Sequence, residues 1–390
     1  MLRTAMRILH LAGEYPPARI GGISTFLENL ATRQAQANEV GVIVVRGERY
    51  ADDPPRAVEG DARAGVRVEP VDVDFAALDG RTVLCDADVS SAMTRPHGAF
   101  WEAPFDLLHL HDWYGALPAA AFARGGAAVV TSAHLPLRFG FTYANHDVPL
   151  RAKVRLETLG LRLASRVVAP SRYVADLLER EYDVDADRVG VVLNGVDLEA
   201  FSPGGRRAEV PTLLSVSRLS EQKGLDLLLA AFARVREAMP RARLEIAGDG
   251  PGRAALEAEI DRRGLRDAVT LHGYVRHAAL RDLYRRSHAF VSASVYEPFG
   301  LTTLEAMACG TPAVASSLGG APEFVRDGVD GFVCPPHGGE LAAAAIRVLA
   351  GDVEAMGRAA RARAETCSWD RVSDEVAREY ALARGARVDA

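Results

Sequence analysis

The chain has 390 residues, too many for one ordinary core and suited to two domains of roughly 200 residues or fewer. Hydrophobic residues at 48% and charged residues at 25% let both domains bury a full core, and a net charge of -6 with scattered Lys and Arg excludes broad binding to nucleic acid. Cys85, Cys309, Cys334 and Cys367 form no CxxC pair, which argues for reduced thiols, and no apolar run reaches the ~18 residues of a membrane span; the expectation is a cytoplasmic protein without stable membrane insertion.

Short apolar runs alternate with longer amphipathic stretches along the whole chain, the pattern of parallel sheets wrapped by helices. In the first half, strands are predicted at Met6–Ala12, Val40–Val45, Leu107–His111, Val129–Ala133, Arg166–Ala169 and Arg188–Leu193. Helices are predicted through Ser24–Ala37, Ala116–Arg124, Leu150–Ala164 and Arg172–Tyr182. The Asp- and Pro-rich segment 51–98 is assigned no structure. The pattern breaks at Phe201–Pro211, a linker candidate, and then restarts. Strands follow at Thr212–Ser217, Arg243–Ala247, Val269–His272, Ala289–Ala293 and Ala313–Ser316, with helices at Leu225–Met239, Gly252–Arg263, Ala278–Arg286, Thr302–Cys309 and Glu340–Leu349. The tail Val353–Arg384 reads as one or two helices. Two doubly wound α/β domains are expected, at 1–205 and 206–370, with 371–390 a helix crossing back to the first. In such sheets ligands bind beyond the carboxyl ends of the strands, so two facing units leave a cleft between those ends.

Three segments carry chemistry. Glu14-Tyr-Pro-Pro-Ala-Arg19-Ile-Gly21-Gly22 joins a strand to a helix; paired glycines admit close backbone approach, free helix amides attract an anion, and Arg19 adds a charge. An ordinary strand-to-helix turn reads the same way. Ser217-Arg218-Leu-Ser-Glu-Gln-Lys223 places two cations in one loop, either converging on a diphosphate or simply solvated. Glu297-Pro-Phe299-Gly300-Leu301-Thr302-Thr-Leu-Glu305 sets one carboxylate in a loop and a second on the first turn of a helix. The helix amides can hold a phosphate while the carboxylates accept hydrogen bonds from sugar and ribose hydroxyls.

Together with Asn194-Gly-Val-Asp197, Ala247-Gly-Asp-Gly-Pro251, His272-Gly-Tyr274-Val and Gly319-Gly-Ala-Pro-Glu323, these segments resemble the retaining glycosyltransferases of family 4, which have the GT-B fold of two Rossmann-like domains. The likeness runs from Met6 to Trp369. The resemblance implies that Arg218 and Lys223 clamp the donor diphosphate, with Arg19, Gly21, Gly22 and the run Phe299-Gly300-Leu301-Thr302 at the phosphates. Glu305 would hold the ribose, Glu297 the transferred sugar, and His134 would sit beside that sugar; Tyr274 would pack near the base. Glu14-Tyr-Pro-Pro and His109-Leu-His-Asp112-Trp113 resemble bacterial and archaeal glycogen synthases, though Arg19 stands where those enzymes usually carry Lys. Asp112, Trp113 and Asn194 would then face sugar hydroxyls.

After His134 the chain departs from the glucan-synthase pattern. Arg138 and Tyr143 are acceptor candidates, with a surface flap as the competing reading. Acceptor identity therefore stays open between an α-glucan, a small sugar and a polyol or aminocyclitol. The donor is expected to be UDP- or ADP-glucose, a co-substrate, with no resident cofactor and no metal. A sugar-nucleotide 2-epimerase is the alternative, and a homodimer is left open. His109-Leu-His111-Asp112 is discounted as a metal site because a strand turns only alternate residues to one face and because the motif resembles that of the synthases. Asp72-Val-Asp74 and Asp86-Ala-Asp88 read as solvated acids, and Gly248-Asp-Gly-Pro-Gly252 has the wrong spacing for a dinucleotide fingerprint.

Overall fold

The computed structural model describes residues 5–16, 21–46, 65–72, 101, 103–116, 119, 126–138 and 150–385. The chain divides into two compact units, one holding the residues up to Leu193 together with the C-terminal helix, the other running from Asn194 to Ser368.

The first unit contains strands β1 (Arg7–Ala12), β2 (Glu39–Arg46), β3 (Val66–Asp72), β4 (Leu107–His111), β5 (Ala128–Ser132), β6 (Arg166–Ala169) and β7 (Val189–Val191). They form one parallel sheet in the order β3-β2-β1-β4-β5-β6-β7. Strand β4 is buried at every position because parallel sheets are covered on both faces, so its two histidines lie inside with its leucines. Strand β3 lies inside the segment assigned no structure; Pro70 obscured it, and an edge strand tolerates a proline. Helices α1 (Gly22–Gln34), α2 (Leu150–Leu163) and α3 (Arg172–Tyr182) belong here too.

The second unit pairs β8 (Thr212–Val216), β9 (Arg243–Ala247), β10 (Val269–Gly273), β11 (Ala289–Ser292), β12 (Ala313–Ser316) and β13 (Gly331–Cys334) in the parallel order β10-β9-β8-β11-β12-β13. The sequence reading missed β13, a four-residue strand entered through Val329-Asp-Gly. Helices α4 (Leu225–Ala238), α5 (Arg253–Arg262), α6 (His277–Arg286), α7 (Leu301–Ala308), α8 (Gly338–Ala350) and α9 (Val353–Glu365) flank the sheet. Leu213, Phe232, Ile246, Val291, Val314 and Leu341 lie in its core.

Two boundaries differ from expectation. The division falls after Leu193, and Phe201–Pro211 belongs to the second unit: Phe201 is buried, Arg361 donates to its carbonyl at 2.9 Å, and Arg285 donates to that of Ser202 at 2.6 Å. The last helix, α10 (Trp369–Ala383), starts two residues before 371 and is part of the first unit. Arg33 pairs with Asp370 at 2.6 Å, Arg166 with Glu379 at 2.7 Å, and Trp369 meets Phe26 edge-on at 6.0 Å. No helix among the described residues is long and apolar enough to cross a membrane.

Candidate active site

Both sheets reverse their strand order at one place, between β1 and β4 in the first unit and between β8 and β11 in the second. Ligands of open α/β sheets bind just beyond the carboxyl ends of the strands at that reversal. The predicted residues cluster in the loops that leave these strands.

In the second unit, the loop after β8 carries Arg218 and Lys223, and the loop after β11 carries Glu297. Lys223 Nζ lies 2.7 Å from Glu297 Oε2, and Ser294 Oγ donates to the same oxygen at 3.1 Å. Glu297 is pinned by backbone as well: it bridges Gly319, its amide donates to Leu318 at 3.3 Å, and its carbonyl accepts from Gly320 at 3.0 Å. Gly319 sits at φ 148°, and a Cβ there would stand 2.0 Å from the Glu297 carbonyl oxygen, so only glycine allows this approach.

Helix α7 begins at Leu301, one residue earlier than expected, after left-handed Gly300, which offers no side-chain cap. The amides of Leu301 and Thr302 are thus presented at a positive helix end. Glu305, in the second turn rather than the first, accepts from Tyr284 Oη at 2.8 Å; burial pushes its carboxyl up to about 7, against the pull of that hydroxyl. Among the buried side-chain atoms with no hydrogen-bond partner in the described residues are Ser217 Oγ, at the start of the loop after β8, and Asn194 Oδ1, three residues after β7. Orphaned buried polar atoms are costly and mark places where a ligand can complete the pairing. Arg218 is exposed, as is Tyr274, at 72%, just after β10. Phe299 departs from its expected role: its side chain is buried against Phe324 at 4.8 Å, leaving only backbone for a ligand.

In the first unit, Glu14 Oε2 accepts from the Gly21 amide at 2.9 Å, holding the entrance to α1, whose first residue is Gly22 rather than Ser24. Asp112 follows β4 at φ 55° and accepts from the amides of His134 at 2.9 Å and Leu135 at 3.4 Å. Burial pushes its carboxyl up to about 7, against those two amides, and the nearby Glu14 raises it further. His134 Nε2 lies 3.0 Å from His111 Nδ1, and burial lowers its pKa to about 3. Trp113 stacks on Tyr114 at 4.0 Å, with Lys153 Nζ 5.3 Å from its ring. Arg138 is committed elsewhere than expected: its guanidinium lies 4.9 Å from the Tyr182 ring and donates to the Glu181 carbonyl. Arg19 and Tyr143 lie outside the described residues.

The alternation used to set His109-Leu-His111 aside as a metal site works the other way. It turns both imidazoles to one face, where β1 brings His10 opposite His109, and the three rings offer ligand atoms within 4.8 Å of one another. Each ring nitrogen of the three is engaged by a hydrogen bond in this structure. The sequence reading also overlooked Glu157, whose carboxylate accepts from the Leu137 amide at 3.0 Å and from Tyr182 Oη. Burial pushes the Glu157 carboxyl up to about 8, well above its ordinary 4.5. Between those values the folded state keeps a proton that the unfolded chain releases. Stability therefore falls with rising pH through that window, by at most about 1.4 kcal/mol per pH unit from this group. Glu157→Gln, isosteric with the neutral acid, should gain in Tm relative to wild type from about pH 5 to about pH 8. A difference constant with pH would contradict a protonated Glu157.

Two parallel α/β units, each with its strand order reversing once, are the two domains of the GT-B fold. Residues 20–200 match the family model of Glycosyltransferase Family 4, and residues 198–364 that of Glycosyl transferases group 1. The chain belongs to glycosyltransferase family 4. It is 30% identical over 394 residues to the glycogen synthase of Mycobacterium tuberculosis, covering 97% of this chain and 95% of that one. It is 31% identical over 415 residues to the D-inositol 3-phosphate glycosyltransferase of Streptomyces scabiei, covering 98% and 91%. In fold it is similar to sucrose-phosphate synthase of Thermosynechococcus elongatus, with a TM-score of 0.81 at 22% identity over 98% of this chain and 100% of that one. It is also similar to HepE of Anabaena, solved with UDP-glucose, with a TM-score of 0.74 at 22% identity over 97% and 100%.

Proposed function

We propose that this glycosyltransferase moves glucose from UDP- or ADP-glucose to a hydroxyl of an α-glucan, small sugar or polyol, with retention at the transferred carbon. The observation that carries the reading is the Lys223–Glu297 pair at 2.7 Å beside the uncapped start of α7. One end of this constellation suits a diphosphate, with Lys223, Arg218 and the Leu301 and Thr302 amides as donors; the other suits sugar hydroxyls, with Glu297 and Glu305 as acceptors. The two relatives named above, a glycogen synthase and an inositol phosphate glycosyltransferase, support a glucan or polyol acceptor.

The bond between the sugar's anomeric carbon and the diphosphate oxygen breaks first, leaving an oxocarbenium-like sugar and an anionic leaving group. Charge develops on the phosphate oxygen, where the cations and helix amides act, so their interaction strengthens in the transition state. The acceptor hydroxyl attacks from the face the diphosphate leaves, and its proton passes to the departing phosphate oxygen. Glu297 steadies the sugar and forms no covalent intermediate. Because two side-chain cations and a helix end meet the leaving charge, no divalent ion is required, and activity should survive EDTA.

A thermal-shift panel of UDP, ADP, GDP and dTDP with their glucose conjugates tests the reading. A ligand at 100 times its Kd stabilises by about 2.7 kcal/mol, a shift of a few degrees. One responder names the donor, and loss of its response in Arg218→Ala ties it to this loop. No response from the folded protein would overturn the reading.

A further inference from the structure

His134 is the outer end of a buried hydrogen-bond chain. His10, His109 and His111 are each at most 1% exposed, whereas His134 is partly exposed. His10 Nε2 lies 2.8 Å from Gln34 Oε1, His10 Nδ1 lies 3.0 Å from His111 Nε2, and His111 Nδ1 lies 3.0 Å from His134 Nε2. A branch leaves Gln34 the other way: its Nε2 donates to Tyr380 Oη at 3.0 Å, which lies 2.7 Å from His109 Nδ1, while His109 Nε2 lies 2.8 Å from Ser132 Oγ.

Each contact needs one proton, and burial holds His10 and His134 at about 4 and 3 and, with the neighbouring imidazoles, lowers His109 and His111 well below the ordinary 6.5, so every ring is neutral and carries one. With the Gln34 amide turned so that Oε1 faces His10 and Nε2 faces Tyr380, that oxygen can only accept, so His10 must donate from Nε2 and accept at Nδ1. His111 must then donate from Nε2 to His10 and accept at Nδ1, and His134 must donate from Nε2 to His111. The other branch closes with the same count: Tyr380 accepts from Gln34 and donates to His109, and His109 donates to Ser132. The chain toward His134 thus ends at its Nδ1 lone pair, which has no partner among the described residues.

We propose that Gln34, His10 and His111 form a positioning relay that locks His134 as the Nε2–H tautomer, with Nδ1 presented as a fixed acceptor for a hydroxyl of the bound sugar. The acceptor role rests on the proposed glycosyl transfer; the locked tautomer does not. Gln34 ends α1 and Tyr380 lies on α10, so the relay ties the loop after β5 to the two helices over that face of the sheet. A buried network in which every group is satisfied holds its members rigidly, since breaking any one strands its neighbour without a partner.

Ring ¹⁵N shifts of histidine-labelled protein test the relay without any substrate. The expected result is protonated Nε2 and bare Nδ1 at His134, unchanged by pH from about 5 to about 8, as the lowered pKa values require. Gln34→Leu should release the lock, giving a tautomer mixture at His134 and lowering kcat by about tenfold with KM little changed, the scale of one well-made hydrogen bond. Gln34→Glu, which keeps the acceptor for His10, should restore the Nε2–H tautomer. A wild-type His134 protonated at Nδ1 overturns the relay, and so does a folded Gln34→Leu with the tautomer unchanged. Zinc retained at one ion per chain and lost in His10→Leu also overturns it, since the rings would then be ligands. If the lock is found but kcat is unmoved, the relay has no part in transfer and the acceptor role falls alone.

Discussion

Replacing Lys223 by alanine is expected to lower kcat by two to three orders of magnitude while the protein stays folded. Charge builds on the leaving diphosphate only as the sugar–oxygen bond breaks, so a cation at that oxygen stabilises the transition state more than the bound substrate. Deleting one such preorganised donor from a site of this type typically costs about 10²–10³ in kcat. The effect on stability is smaller. The Lys223 and Glu297 side chains are 17% and 19% exposed, between a surface pair worth about 1 kcal/mol or less and a fully buried pair costing about 3–5 kcal/mol to break. Ser294 still donates to Glu297 after the substitution, which limits the penalty on the stranded carboxylate. The measurement is steady-state kinetics with the donor found by thermal shift, alongside Tm. A raised KM with kcat intact would show that Lys223 binds the ground state and the transition state equally, and the leaving-group role would be wrong. Glu297→Gln separates the partners: it keeps a hydrogen-bond acceptor for Ser294 while removing the countercharge of Lys223.

Most strands of both sheets were within reach of the sequence because buried parallel strands such as Leu107–His111 and Ala289–Ser292 announce themselves as short, mainly apolar runs between amphipathic stretches. Strand β3 was not, because Pro70 is a local signal against strand that only its edge position excuses. The second unit's chemistry-bearing loops were legible for a related reason. Lys223, Glu297 and Gly300 lie in loops where glycine, proline and charge occur together, and such loops are built by local chemistry. The partners of those residues were invisible. Tyr284 reaches Glu305 from a different helix, Gln34 reaches His10 across 24 positions, and Tyr380 reaches His109 across 271, so only the folded topology joins them. His10 carried one usable signal: a histidine in an otherwise apolar first strand must find a polar partner, and the next histidines in an apolar strand are His109 and His111. The unit boundary misled because Ser202-Pro-Gly-Gly looks like a linker, yet Arg361 and Arg285 hold its carbonyls and those of its neighbours.

Gly319→Ala is expected to damage both stability and activity, and for one geometric cause. The alanine Cβ would stand 2.0 Å from the Glu297 carbonyl oxygen, 2.9 Å from its carbon and 3.1 Å from its Cβ, and two of these are backbone atoms that cannot swing aside. The bridge between Glu297 and Gly319 must open, and with it the bonds from Glu297 to Leu318 and from Gly320 to Glu297. Strained φ and overpacking together put the cost at about 2–4 kcal/mol, several degrees of Tm. Because the same backbone carries the Glu297 carboxylate, a shift of about 1 Å there should cost about a hundredfold in kcat/KM even at temperatures where the variant is fully folded. Gly328→Ala is the control. It also has a positive φ, 74°, but a Cβ there meets nothing within 4 Å, so it bears the backbone strain without the collision. The control should lose about 1 kcal/mol and keep its activity. Equal losses in the two variants would mean that φ alone matters and that the close approach to Glu297 does not hold the carboxylate in place.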